Sequence, residues 1–83
     1  MQMRIKVRYI ESTDLIDLTI SSFDEIPNRE KIYYLNCSCN QLTSLQGIEN
    51  LTQLQILSCS DNQLKSLQGI ENLTQLQKNM LSL

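Results

Sequence analysis

Residues 45–55 read LQGIENLTQLQ, and residues 67–77 read LQGIENLTQLQ again. The duplication extends upstream, because NQLTSLQGIENLTQLQ begins at Asn40 and NQLKSLQGIENLTQLQ begins at Asn62. The two copies differ only where Thr43 corresponds to Lys65, and they are offset by 22 residues. A repeat of this length is typical of solenoid proteins, in which each repeat stacks on its neighbour. We use the word rung for one such stacked unit.

Apolar residues and asparagines coincide when the sequence is aligned at this offset. The first set is Ile32, Leu35, Cys37, Asn40, Leu42, Leu45, Ile48 and Leu51, and the second is Leu54, Leu57, Cys59, Asn62, Leu64, Leu67, Ile70 and Leu73. Each set follows the pattern LxxLxCxxNxLxxL and then GIxxLxxL. This spacing resembles the leucine-rich repeat, in the 22-residue class of internalin-like and phosphatase-regulator-like proteins.

Alternation along each strand assigns side chains to two faces of a sheet. Leu35 and Cys37 share the inward face of the first rung, as Leu57 and Cys59 do in the second. Apolar residues recur every third position in GIENLTQL, which suits a short 3₁₀ or helical turn with one buried face. The predicted fold class is therefore an α/β solenoid: a short leucine-rich repeat with a parallel β-sheet on one side, 3₁₀ or helical turns on the other, and an N-terminal β-hairpin cap.

The sequence indicates one domain over residues 1–83. Residues 1–31 are predicted to form the N-terminal hairpin and an irregular first rung, 32–77 two regular repeats, and 78–83 a C-terminal tail. The alternating MRIKVRYI predicts a first strand that forms the edge of the sheet, with Arg4, Lys6 and Arg8 discouraging a second chain from pairing there. The predicted inward side chains of the irregular rung are Leu15, Leu18, Ile20, Phe23 and Ile26.

The repeat is interrupted after Gln77, where KNMLSL replaces the expected ILSCSDN. Asn79 falls at the position of Leu57 one rung earlier, and a slip of one residue would place Met80 or Leu81 inward instead. The apolar residues at this end either fold back as a crude cap or form a surface for self-association, most simply a homodimer. The candidate self-association residues are Leu73, Leu76, Met80, Leu81 and Leu83.

Asparagine and cysteine within the repeat favour structural roles. We expect Asn40 and Asn62 to be buried, with their side-chain amides bonding backbone groups left open where the chain leaves the strand; the family resemblance implies an asparagine ladder of this kind. Cys37 and Cys59 occupy inward positions and are predicted to be small core residues, and Cys39 is predicted to be the most accessible thiol. Metal or redox chemistry at these cysteines is the less favoured alternative.

Composition argues against several functional classes. The chain lacks histidine, and its two glycines are too far apart for a phosphate-binding loop, so we expect no enzyme activity, no cofactor and no metal. A net charge of −2 gives no reason to expect nucleic acid, and no apolar run is long enough to cross a bilayer. The N-terminal stretch MQMRIKVRYI does not resemble a signal peptide, so we expect a cytoplasmic location.

A surface remains as the candidate site. The resemblance implies that the outward strand face binds another protein, with Tyr34 and Ile56 as the largest candidate anchors. The predicted face consists of Tyr34, Asn36, Ser38, Ile56, Ser58 and Ser60. Two alternatives stay open: a small structural or assembly component, for example of a viral particle, that associates through its exposed C-terminal rung, and a truncated remnant of a longer repeat protein.

Overall fold

One open sheet runs through the computed structural model, which describes the backbone of residues 2–80 and the side chains of residues 2–79. In this part of the chain the strands are β1 (Met3–Tyr9), β2 (Ile16–Ile20), β3 (Ile32–Asn36), β4 (Ile56–Ser58) and β5 (Lys78–Met80). Their order across the sheet is β2-β1-β3-β4-β5. This single open sheet fits the solenoid-like fold that the repeat predicts.

The repeats form the parallel half of the sheet. Tyr34 pairs with Ile56 and Leu35 with Leu57, so each residue of β3 lies beside the residue 22 positions later in β4. Parallel strands need a crossover connection, and the two return segments, residues 45–55 and 67–77, complete it. Each contains one 3₁₀ turn, Ile48–Asn50 in the first and Ile70–Asn72 in the second.

Glycine is required at the start of each return segment. Gly47 and Gly69 have φ angles of 95° and 103°, a region that side-chain-bearing residues rarely adopt. Space is also restricted, because a Cβ atom at Gly69 would lie 3.1 Å from Cγ2 of Ile48 in the preceding rung. The glycines therefore allow the chain to bend and the return segments to stack closely.

The register of the repeat continues to the end of the sheet. Lys78 pairs with Ile56, and Asn79 pairs with Leu57, so the one-residue slip that the sequence left open is absent. The backbone N–H groups of Gln77 and Lys78 both donate to the carbonyl of Gln55, which holds the two rungs in step. Residues 67–77 repeat residues 45–55, and the chain enters β5 in the register of the repeat.

Within the segment predicted as a C-terminal tail, residues 78–83, the first three residues form strand β5. Asn79 takes the position of Leu57 and is exposed. The side chain of Met80, together with Leu81 and Leu83, lies outside the described residues, and so does the predicted fold-back cap. Of the other candidate self-association residues, Leu73 is buried and Leu76 is half-buried.

The hairpin lies differently from the prediction. β1 pairs antiparallel with both β2 and β3, so it lies inside the sheet and β2 forms the edge. In this position the inward side chains of β1, Met3, Ile5 and Val7, are at most 5% exposed. The basic residues of β1 therefore belong to the sheet surface and do not guard an edge.

Buried side chains form one continuous core beneath the sheet. Its members are Met3, Ile5, Val7, Ile20, Phe23, Ile26, Ile32, Leu35, Cys37, Leu42, Leu45, Ile48, Leu51, Leu54, Leu57, Cys59, Leu64 and Leu73. The prediction was wrong at Leu15, which is 42% exposed, because β2 begins at Ile16 and pairs that residue with Val7. Leu18 packs against the core while remaining half-buried.

Burial falls off toward the C-terminal rung. Leu45 and Ile48 are 1% and 0% exposed, whereas their counterparts Leu67 and Ile70 are only half-buried. The sequences of the two return segments are identical, so the difference comes from position in the stack. The first return segment lies between two layers, whereas no described residue covers the outer side of the second.

The asparagine side chains join successive rungs. Oδ1 of Asn62 accepts the N–H groups of Asn40 and Leu42, each at 2.9 Å, and Nδ2 donates to the carbonyls of Cys37 and Cys59, each at 3.0 Å. The amide thus bonds backbone groups of its own rung and of the preceding one. Both asparagines are half-buried, which corrects the expectation of full burial, although the predicted backbone partners are present.

Asn40 makes the equivalent contact with the hairpin. Its Oδ1 accepts the N–H of Arg4 at 2.9 Å, and its Nδ2 donates to the carbonyl of Arg4 at 2.8 Å. The ladder therefore continues from the regular repeats into β1, although β1 runs antiparallel and carries no repeat sequence. A second tie comes from Tyr9, whose hydroxyl donates to the carbonyl of Pro27 at 2.7 Å.

Replacing Asn62 with leucine should lower the free energy of unfolding by about 1–3 kcal/mol, because several backbone groups lose their partner in a partly dry environment. The Lys65→Thr variant is the control, since it recreates the other repeat at an exposed position and should change stability by less than about 0.5 kcal/mol. Urea unfolding followed by circular dichroism measures both. Equal losses of stability in the two variants would contradict the ladder.

Candidate functional site

The outward face of the sheet carries the candidate site. We define the outward face as the described outward side chains of the five strands, which exclude Met80, together with Ser38 and Ser60, which follow β3 and β4. The six residues predicted for binding are all half-buried and occur on neighbouring strands. Tyr34 lies opposite Ile56, and Asn36 lies opposite Ser58, so the structure brings these residues together in two adjacent rows.

Strand pairing extends the row that contains Tyr34 in both directions. Arg8 of β1 pairs with Tyr34 on one side, and Lys78 of β5 pairs with Ile56 on the other. We call these four residues the Tyr34 row: Arg8, Tyr34, Ile56 and Lys78. The two large side chains are therefore flanked by a cation at each end.

Arg8 is held in place from two directions. Its guanidinium carbon lies 5.7 Å from the centre of the Tyr34 ring, which is a cation–π distance. Its Nη1 also donates to the carbonyl of Thr13 at 2.8 Å, in the turn between β1 and β2. The guanidinium of Arg8 and the ring of Tyr34 therefore lie side by side on the outward face.

The polar part of the face is largely bonded within itself. The hydroxyl of Ser38 lies 2.8 Å from that of Ser58 and 3.4 Å from that of Ser60. The side-chain oxygen of Asn36 accepts the N–H of Ser38 at 3.0 Å. These groups are small, whereas Tyr34 and Ile56 are the largest of the six residues predicted for binding.

Sequence reasoning missed the two cations of the Tyr34 row. Lys78 could have been found from the repeat, because it stands 22 residues after Ile56. Arg8 could not, because its place beside Tyr34 depends on β1 pairing with β3. That pairing joins segments from different parts of the chain and leaves no periodic signal in the sequence.

The acidic and cysteine side chains that the structure describes do not cluster as metal ligands do. In that part of the chain, no group of three or more cysteine, aspartate and glutamate side chains could hold a metal ion. A depression of about 430 Å³ lies between the return segments, and Glu49 and Glu71 are among its lining residues. One carboxylate oxygen of Glu71 already accepts the N–H of Gly69 at 3.1 Å.

The cysteines have the predicted exposures. Cys37 and Cys59 are fully buried in the core, and Cys39 is exposed. The neighbouring thiol of Cys59, together with burial, raises the pKa of the Cys37 thiol above its ordinary value. Cys37 therefore stays protonated at neutral pH, and protonated thiols react slowly with electrophiles.

A thiol reagent should modify one cysteine of the folded chain quickly and the other two only after unfolding. Cys39 supplies the fast reaction because it is exposed, whereas Cys37 and Cys59 are shielded by the core. Absorbance from a coloured disulfide reagent, with and without urea, gives the count. The Cys39→Ser variant should lose the fast phase alone; fast reaction of all three thiols would show that the core is open at these positions.

Comparison with known protein families identifies the repeat. Residues 34–72 match the family described as Leucine Rich repeats (2 copies). Neither the curated proteins nor the solved structures compared with the chain gave a significant match. Within residues 2–80, none of the helices has the length and apolar character needed to cross a membrane.

Proposed function

We propose, on the premise that this chain is a leucine-rich repeat protein, that it is a non-enzymatic module that binds another protein through its outward face. Leucine-rich repeat domains generally mediate protein–protein interactions. The observation that supports this face is the pairing of Tyr34 with Ile56 on adjacent strands. These two large, half-exposed side chains stand beside serine and asparagine side chains that are bonded to one another.

The position of these side chains favours binding over a purely structural role. Tyr34 and Ile56 belong to hydrogen-bonded strands, so little backbone freedom is lost when a partner docks. An aromatic and an aliphatic group near the centre of a face match the usual chemistry of interface anchors. Because the sheet is only a few strands wide, the interface is small and the complex is of the transient class.

A second candidate function is assembly through the C-terminal rung. The observation that favours it is the partial exposure of Leu67, Ile70 and Leu76, whose counterparts one rung earlier are buried. An apolar layer with one side uncovered can be completed by the same layer of a second copy, which gives a two-fold homodimer.

Replacing Ile56 with serine should weaken capture of a partner from an extract of the source organism by at least about tenfold. The reason is that an interface loses roughly 1.5–3 kcal/mol when an aliphatic side chain that it buries is removed. Quantitative mass spectrometry of proteins retained on the immobilised chain measures the effect. Gln53→Ser is the matched control, because Gln53 is exposed on the first return segment, away from the strands.

Two outcomes would contradict binding through the outward face. Equal capture by the wild type, Ile56→Ser and Gln53→Ser would remove the face from the interaction. Loss of capture in a Leu76→Asp variant that keeps its circular dichroism spectrum, with Ile56→Ser unaffected, would transfer the interface to the C-terminal rung. Tyr34→Ala provides an independent test of the face, because it removes the neighbouring anchor.

A further inference from the structure

The outward face carries charge of the opposite sign to that of the whole chain. Among the described strand residues that point outward, four are cationic, and one, Asp17, is anionic, although the net charge of the chain is −2. The four cations are Arg4, Lys6, Arg8 and Lys78. The face is therefore basic on an acidic molecule.

Asp17 does not cancel this charge. It lies on β2, the outermost strand, and its carboxylate is 3.9 Å from Nζ of Lys6. The two side chains are 78% and 53% exposed, and an ion pair with this exposure is weak. The cations on β1 and β5 therefore remain available to a partner.

The Tyr34 row also fixes a distance. Arg8, Tyr34, Ile56 and Lys78 lie on four consecutive strands, so the backbones carrying the two cations are three strand spacings apart, roughly 14 Å. An extended peptide advances about 3.3 Å per residue, and every second side chain points to the same side. Residues i and i+4 of such a peptide therefore span about 13 Å, with residue i+2 between them on the same side.

We propose that the partner presents an extended acidic segment that crosses the strands over the Tyr34 row. In this segment two carboxylates four residues apart face Arg8 and Lys78, and an apolar side chain midway between them packs on Tyr34 and Ile56. The proposal rests on the proposed function and specifies the chemistry of the partner at the same face. Because carboxylates are planar acceptors, the guanidinium of Arg8 suits one end of the segment well.

A peptide suits the row better than a nucleic acid does. Proteins that bind single strands stack successive bases on exposed aromatic rings, whereas the ring of Tyr34 already has the guanidinium of Arg8 beside it. The next residue of the row is Ile56, and its aliphatic side chain favours contact with an aliphatic side chain of the partner.

Nuclear magnetic resonance titration with short capped peptides tests the proposal directly. The probe is Glu-Thr-Leu-Thr-Glu, and its isomer Glu-Glu-Thr-Leu-Thr has the same composition and charge with the wrong spacing. The proposal predicts that the probe shifts the amide signals of the Tyr34 row at millimolar concentration. It further predicts that the probe binds more tightly than its isomer and that added salt weakens binding of the probe.

Variants separate the row from the general charge of the protein. Lys78→Gln should weaken binding of the probe by about two- to fivefold, which is the usual effect of losing one exposed charge pair. Lys65→Gln removes the same charge from an exposed position outside the row and should leave the affinity unchanged. Both variants should keep the wild-type spectrum away from the substitution, which confirms that they fold.

The proposal is overturned if the probe causes no shifts, or if its isomer or the lysine version Lys-Thr-Leu-Thr-Lys binds with equal affinity. Tighter binding of an oligothymidylate than of the probe would also overturn it. So would equal effects of Lys78→Gln and Lys65→Gln on the affinity for the probe. The capture experiment described for the proposed function distinguishes failure of the acidic segment from failure of the binding face. If Ile56→Ser reduces capture of the partner but added salt and Lys78→Gln do not, the acidic segment is wrong and the binding face still stands. If Ile56→Ser leaves capture unchanged, both the binding face and the acidic segment are wrong.

Discussion

The backbone that leaves β3 and β4 depends on an asparagine side chain for its hydrogen bonds. After β3 and β4 the chain turns sharply, with left-handed φ angles of 62° at Cys39 and 57° at Asp61. Backbone groups in such a turn cannot continue the sheet, and unpaired groups are costly where water is partly excluded. The amides of Asn40 and Asn62 supply the missing partners and at the same time join each rung to the one before it.

This ladder has consequences for both faces of the sheet. By fixing one rung to the next it keeps residues 22 positions apart side by side, which stacks Leu35 on Leu57 in the core. The same register places Tyr34 beside Ile56 on the outward face. Since Asn40 also bonds the backbone of Arg4, the hairpin is held against the first regular rung and its basic residues join that face.

The repeat explains why much of this structure is predictable from sequence. Two copies offset by 22 residues predict the pairing of β3 with β4, and alternation within each strand predicts that Cys37 and Cys59 are buried. The six residues predicted for the face follow from the same two regularities. Each of these inferences depends on periodic information, which a single sequence displays openly.

The incorrect predictions concern parts of the chain where that information is ambiguous. Leu15 and Ile16 are adjacent apolar residues, and only the pairing of Ile16 with Val7 decides which of them begins the inward set. The position of β1 depends on whether it pairs with one strand or two, which the sequence of β1 does not encode. At the other end, the polar side chain of Asn79 suggested a slip, yet the identical preceding segment preserved the register.

Backbone amide hydrogen exchange measures the ladder most directly. The N–H groups of Asn40 and Leu42 lie outside any strand and donate to the side chain of Asn62. If this amide organises the fold, both N–H groups should exchange as slowly as that of Leu57 within β4, because opening them requires the rungs to separate. Exchange as fast as that of an exposed turn residue such as Thr52 would show that the rungs stack without the ladder, and would contradict the account.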